Sequence, residues 1–380
     1  MSIKIKVSNF LNAINQIQGI IERKNTMIIL GYIKIDASNS NDHIIISATD
    51  TEVDVVTNVE AEVSNGISFL TPFHKLAEII NKLPKEALVT LTYDSDKSVV
   101  EVRSNNFTAI LSTLNTDEFP VITDNSFSLS FNLPTQVLRK LLDSTRISIS
   151  RDEARVYLNG LFLHSNITDK ESTLNAVATD GHRLSLAKCV HPNIADDSNE
   201  KSINGIIIPR KAVEEVFKIT KNIPDDNDVT VKISDNKIAF IFSNITLTSN
   251  LIDGNFPDYT PVISNKTIAE LTVSKSVFRE ALDRVSVFSD IKNHGIKLWF
   301  KDQTLNMQAT QEKHNCSETI NLETSIEEIV LGVNATYISD VIANISSATI
   351  NIKISGNLSP ILIQGTDVTN ELFVVMPMHV

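Results

Sequence analysis

Ile3-Lys4-Ile5-Lys6-Val7-Ser8-Asn9-Phe10-Leu11 changes its period half-way along. Four residues alternate apolar and polar, as a half-buried strand requires, and an apolar stripe at helical spacing then runs on to Ile17. The same order of strand, cap and helix returns at Leu129 to Leu142, with Pro134 at the helix start, and at Leu271 to Val285, with Ser274 as the expected N-cap. A second series falls between these: Ile67 to Pro72 leading to Ile80, Ile206 to Pro209 leading to Ile219, and Ile329 to Asn334 leading to Ile345. Behind the helices lie alternating segments with polar turns, Asp94-Ser95-Asp96-Lys97, Ser234-Asp235-Asn236-Lys237 and Ser355-Gly356-Asn357, which read as hairpins. The chain is therefore expected to be α+β, with three tandem domains at 1–126, 127–263 and 264–380, each made of two βαβββ half-modules.

Length and composition agree with that division. A chain of 380 residues exceeds what one hydrophobic core serves. A composition 42% hydrophobic and 21% charged belongs to a globular protein rather than a disordered or fibrous one. No apolar run approaches the roughly 18 residues of a membrane span, and the alternating N-terminus lacks a signal-peptide core, so a cytoplasmic protein is expected. The two cysteines, Cys189 and Cys316, give neither a disulfide framework nor a zinc-site spacing, and no metal or cofactor is expected. The formal net charge of −12 excludes a protein that coats nucleic acid through a basic surface. Lys and Arg nevertheless outnumber Asp and Glu on the six expected helices, so those helices could face a polyanion. Solvated faces with i,i+4 pairs would give a similar balance.

Ala176-Val177-Ala178-Thr179-Asp180-Gly181-His182-Arg183-Leu184-Ser185 is the most distinctive stretch. One reading makes it part of a hydrolase that uses His182 with Asp180 or a nearby Ser. Against that, these residues are too close in sequence to form a triad alone, and the chain has no GxSxG elbow. The other reading makes Asp180-Gly181 a hairpin turn with Gly181 at positive φ, and sends His182 and Arg183 to opposite faces of the following strand.

The Thr179-to-Leu184 string, together with Tyr157-Leu158-Asn159-Gly160, Asp253-Gly254-Asn255-Phe256-Pro257-Asp258-Tyr259 and Val374-Val375-Met376-Pro377-Met378, resembles the bacterial β sliding clamp family, the processivity subunits of the replicative DNA polymerase. Thr26 to Gly31, Leu111 to Leu114 and Phe119-Pro120 extend the resemblance over the whole chain in family order. It implies a non-enzymatic protein, without catalytic residues, that pairs head to tail into a dimeric ring around duplex DNA. Its helices would lie inside and its sheets outside. Twelve helices at about 10 Å spacing make a circle roughly 38 Å across their axes, and subtracting a helix diameter leaves about 28 Å, enough for a hydrated duplex.

The resemblance further implies a groove that takes a Leu/Phe-bearing peptide from the polymerase III alpha subunit, the clamp loader, and other polymerases and repair proteins. Its lining would be Leu158, Thr179, Gly181, His182, Arg183, Leu184, Val262, Val374, Val375, Met376, Pro377 and Met378. Four positions depart from the family pattern: His379-Val380 stand where Arg-Leu is common, Pro261 where the groove has Arg, and Pro360 where it has Ser. DNA-contact candidates are Lys24, Arg151 and Arg155, and Ala109 and Leu111 would meet Val287 and Phe288 of a second copy. A monomeric repeat scaffold with no nucleic-acid partner remains the third possibility.

Overall fold

The structure, a computed structural model, describes residues 2–22, 27–38, 40–120, 126–167, 172–190, 192, 195–196, 202–264 and 266–379. The first third contributes β1 (Ser2–Lys6), α1 (Val7–Ile17), β2 (Tyr32–Asp36), β3 (His43–Thr49), β4 (Val53–Glu60), β5 (Glu62–Val63), β6 (Ser68–Pro72), α2 (Phe73–Lys82), β7 (Leu88–Asp94), β8 (Val99–Ser104) and β9 (Phe107–Ser112). The middle third contributes β10 (Leu129–Pro134), α3 (Thr135–Arg146), β11 (Gly160–Ile167), β12 (Ser172–Thr179), β13 (Arg183–Val190), β14 (Ala195–Asp196), β15 (Ile206–Pro209), α4 (Arg210–Thr220), β16 (Asp228–Ile233), β17 (Lys237–Ile241) and β18 (Ile245–Asn250). The last third holds α5 (Thr260–Ile263), β19 (Ala269–Ser274), α6 (Lys275–Ser286), β20 (Gly295–Gln311), β21 (His314–Asn334), α7 (Ala335–Asn344), β22 (Thr349–Ile354), β23 (Ile361–Gly365) and β24 (Glu371–Val375).

All six expected helices are present, with ends within two residues of the reading. The βαβββ order recurs in each half of the first two thirds. The last third departs from it, because β20 and β21 are long strands that each merge two expected short ones. Their ladder continues through register shifts at Phe300/Asp302 and Asp302/Thr304, where a β-bulge takes the place of a turn. Helix caps also differ from the reading. Ser274 sits at the N-cap of α6 but its hydroxyl makes no capping bond, meeting Ser276 Oγ at 3.1 Å instead. Asn334 does cap α7, accepting from the amides of Thr336 and Tyr337.

Two compact units divide the chain: Met1–Gln136 with Asn193–Lys201 and Lys211–Leu251, and Val137–Pro192 with Ser202–Arg210 and Ile252–Val380. The first unit carries a five-stranded sheet, β5-β1-β7-β8-β9, and a nine-stranded sheet, β14-β10-β16-β17-β18-β4-β3-β2-β6. Phe10, Ile14 and Ile17 of α1, Phe73, Leu76 and Ile80 of α2, and Val213 and Val216 of α4 are the buried helix faces of its interior.

The second unit carries the eight-stranded sheet β15-β11-β12-β13-β24-β23-β22-β19 and the β20-β21 ribbon. One continuous core joins Phe278, Leu282 and Val285 of α6 and Ile338, Val341 and Ile342 of α7 to Phe300, Phe373 and Val375 of the strands. Gly160 opens β11 as glycine because a Cβ there would lie 2.4 Å from the Ile208 carbonyl oxygen on β15. That close approach of two backbones is a physical reason for the Gly in Tyr157-Leu158-Asn159-Gly160.

At the middle of the eight-stranded sheet, β24 lies between β13 and β23, with Arg183 opposite Val375 and Ala187 opposite Glu371. Glu371 is only 2% exposed, and its carboxylate is held by Lys140 at 2.7 Å and by the Ser144 hydroxyl, both on α3. Ser148, just past α3, bonds the Ser185 hydroxyl at 2.6 Å. These bonds fasten α3 to the seam between β13 and β24. Lys140→Met strands the Glu371 carboxylate and should cost about 2 kcal/mol, whereas Lys140→Met combined with Glu371→Met should cost less than Lys140→Met alone. Urea-unfolding midpoints of the three proteins measure this; a double variant less stable than the single one would show that the stranded carboxylate is not what destabilises Lys140→Met.

Candidate functional site

Side chains alternate across β13 and β24, so the seam has two chemically distinct faces. Phe373 and Val375 enter the main core of the second unit. Leu184 and Val374 point the other way and, with Val177 and Leu362, form a small separate cluster. Phe162, Leu186, Leu372, Phe256, Tyr259, Val262 and Ile263 pack against it half-buried. The segment from Phe256 through α5 therefore forms one wall of an apolar site, and the sheet forms its floor.

Aromatic contacts hold that wall in place. The Phe162 ring stacks on Phe256, with centroids 4.7 Å apart and planes 1° from parallel, and on His164 at 4.9 Å. His164 Nε2 lies 2.8 Å from the Tyr259 hydroxyl, and its Nδ1 lies 3.1 Å from the Ser165 carbonyl oxygen. This geometry suits a neutral ring that donates from Nδ1 and accepts the Tyr259 proton at Nε2. Burial pushes the His164 pKa below its ordinary value, outweighing the Ser165 bond. Burial raises that of Tyr259.

At the end of the floor, β12 and β13 are joined through Asp180, Gly181 and His182, and Gly181 has the expected positive φ of 89°. A Cβ on Gly181 would also stand 2.7 Å from Arg155 Nη1. His182 lies in this turn and not on the strand, a small correction to the reading. Asp180 Oδ1 accepts from the amides of His182 and Arg183, while Oδ2 pairs with Arg183 Nε at 3.1 Å. Arg183 also meets Asp340 Oδ2 at 2.6 Å and lies over the Tyr337 ring at 4.5 Å. The hydrolase reading fails on this geometry, because Asp180 is spent on the turn and on Arg183. The exposed His182 ring stacks near Tyr337, with centroids 6.4 Å apart, and does not meet Asp180 through a ring nitrogen.

The chain beyond β24 crosses the same end. The Met376 amide donates to the His182 carbonyl oxygen and the Met378 amide to that of Gly332, both at 2.8 Å, leaving Met376, Pro377 and Met378 half-exposed. Leu158 is buried. The Thr179 hydroxyl donates to the Arg183 carbonyl oxygen. Of the expected groove residues, Leu184, Val262 and Val374 share the cluster, and Thr179, Gly181, His182, Met376, Pro377 and Met378 gather at its end. Val375 and Arg183 are directed elsewhere, to the core and to α7.

The sequence reading missed Phe162, His164, Phe256, Tyr259, Ile263, Tyr337 and Asp340. Alternation along Leu161-Phe162-Leu163-His164 would have found the first two, because Leu161 and Leu163 are buried. Two clefts, of about 300 Å³ beside Asn9, Gln16, Thr57 and Glu60 and about 370 Å³ beside Asp290, Asn293, Lys297 and Thr310, hold none of the expected groove residues.

Among the DNA-contact candidates, Lys24 lies outside the described residues, Arg151 is exposed, and Arg155 is half-buried and bonded to Asp152 at 2.8 Å. Ala109 and Leu111 lie half-buried on β9, which pairs with β8 along one edge only. Ile110 on the opposite face of β9 is 67% exposed. Val287 and Ile291 are 72% and 76% exposed, while Phe288 leans on the core of its own unit. Ile110 and Ile291, which the sequence reading passed over, are thus among the chain's large exposed apolar side chains.

Three family models match the chain in order: "DNA polymerase III beta subunit, N-terminal domain" over residues 1–123, "central domain" over 132–258 and "C-terminal domain" over 261–379. The beta sliding clamp of Caulobacter vibrioides is 32% identical over 381 residues, covering all of both chains, and that of Rickettsia bellii is 29% identical with the same coverage. Among solved structures, Caulobacter crescentus pol III beta superposes with a TM-score of 0.91 at 31% identity over 100% of each chain. The Bartonella birtlesii sliding clamp bound to griselimycin does so with a TM-score of 0.92 at 30% identity over 100% of each.

His164 gives the site a signature in acid. Its folded pKa lies below the ordinary 6.5, so the unfolded chain binds the extra proton first, and this contribution to stability is complete above about pH 6.5 and is lost as pH falls toward the folded value. Urea midpoints between pH 7 and 5 should therefore fall less steeply for His164→Gln than for the parent. Equal slopes would remove His164 as the source.

Proposed function

The chain belongs to the DNA polymerase III beta subunit family, the sliding clamps, and we propose that two copies join head to tail into a ring that encloses duplex DNA. It is a three-domain DNA sliding clamp, a processivity factor without catalytic activity of its own. The observation that carries this is the succession of all three family domains, in order, along residues 1–379. In this proposal the domain bounds are 1–126, 127–263 and 264–380, and the cytoplasm is the place of action.

Enclosure explains how an acidic protein can hold a polyanion. A chain of net charge −12 gains little from counterion release, so it holds DNA topologically and makes few fixed contacts. Contacts from Lys24, Arg151 and Arg155 are loose and water-bridged, which permits sliding. The free edge of β9, with Ala109, Leu111 and Ile110, receives the region of Val287, Phe288 and Ile291 from the second copy; covering these exposed apolar groups favours association.

The apolar cluster of Val177, Leu184, Leu362 and Val374, walled by Val262, supports a peptide groove, because it lies on the sheet face turned away from the main core. Met376 and Met378 at its end are unbranched and polarizable, so they adapt to several partners. The polymerase III alpha subunit, the clamp loader, and other polymerases and repair proteins each insert a short segment with Leu and Phe anchors here.

Three measurements test this reading. Solution mass should correspond to two chains and not to one of 42.1 kDa; a stable single-chain species at micromolar concentration would sink the ring. Protein loaded on nicked circular DNA should slide off after linearisation, and retention would contradict enclosure. Removing Met376 to Val380 should lower affinity for a Leu/Phe peptide by at least tenfold, about 1.4 kcal/mol, while leaving the dimer intact; unchanged affinity would take the tail out of the groove.

A further inference from the structure

We propose that the groove selects peptides whose apolar anchors are flanked by lysine or arginine, an inference that rests on the groove reading above. It comes from where fixed charge lies around the apolar cluster. The loop before Leu158 is balanced, with Arg151 and Arg155 set against Asp152 and Glu153, and Arg155 already bonded to Asp152. Arg183 is shared between Asp180 and Asp340, so two carboxylates face one guanidinium. Lys353, across the ladder from Leu362, is taken by Glu270 at 3.5 Å. Lys297, across the ribbon from Gly332, lines the same polar cleft as Asp290.

Asp253 and Asp258 flank Phe256, the ring that packs onto the cluster and forms its wall. Both are exposed, and neither has a Lys or Arg within ion-pair reach among the described residues. The Thr260 hydroxyl and then the Thr260 amide, the latter at 2.9 Å, donate to Asp258 and keep its carboxyl below the ordinary carboxylate range and therefore ionised at neutral pH. The remaining wall residues that could have carried charge are Thr260 and Pro261. Counting histidine as neutral, these rim residues are net acidic, and Arg155, Arg183 and Lys353 already face carboxylates. An approaching peptide also meets the field of a chain with net charge −12, which speeds encounter with cations and slows it with anions.

Three peptides with one Leu/Phe core and either Lys, Ser or Asp on both flanks test the proposal against the full chain by fluorescence anisotropy. At low salt the Lys-flanked peptide should bind about tenfold tighter than the Asp-flanked one, with the Ser-flanked peptide between them. The spread should close at high salt, as for solvent-exposed pairs. Asp253→Asn with Asp258→Asn, which retains a side-chain oxygen for the Thr260 amide, should cut the ratio of Lys-flanked to Ser-flanked affinity about threefold. Equal affinity for all three peptides, or tighter binding of the Asp-flanked one, overturns the charge preference while the groove reading stands. Binding of none of them sinks the groove reading and this proposal together.

Discussion

Everything at the candidate site depends on the antiparallel pairing of Arg183–Ala187 with Glu371–Val375. A strand has period two, so this one register decides simultaneously that Phe373 and Val375 complete the core and that Leu184 and Val374 face away from it. A slip of one residue would exchange the two sets and expose Phe373. The buried Glu371 raises the cost of such a slip, because its carboxylate fits only beside Lys140 and Ser144. The turn at Gly181 and the tail from Met376 then fall at the same end of the sheet as a consequence of the pairing and need no separate cause.

Repetition was legible in the sequence because strand and helix periods are local. Strands such as Ile3 to Lys6 and helices such as Lys275 to Ser286 announce themselves by their apolar spacing. The merger in β20 and β21 was not legible, since Lys301 to Gln303 look like turn residues and only the ladder shows that they continue a strand through a bulge. Ser274 misled in a different way. It has the side chain of a cap, but its hydroxyl is turned to Ser276, and Asn334 does the capping on the neighbouring helix.

The site itself was half legible. Contiguous motifs brought out Thr179 to Leu184 and the Met-rich end, but the reading lined the groove with both Val374 and Val375, and strand alternation lets only Val374 face the cluster. Tyr337 and Asp340 remained hidden because a helix in the last third carries them to Arg183 from more than 150 positions away, and no local pattern encodes that meeting. Phe162 and His164 could have been read from alternation on β11, but without a motif they looked like ordinary strand residues. The acidic rim shows only after folding, when Asp253 and Asp258 are brought beside the cluster without a compensating cation.

The central position of β24 also governs how the chain can be made. Ribosomes deliver β11, β12, β13 and β15 long before Glu371 emerges, β19 also well ahead of it, and only β22 and β23 shortly before it. Until β24 slots between β13 and β23 the sheet exists as two fragments with open hydrogen-bonding edges, the arrangement most prone to pairing with the wrong chain. The strand that completes the groove floor is therefore also the one whose arrival ends the vulnerable stage of biosynthesis. Closing over so many intervening residues makes that step the slow one in forming the sheet.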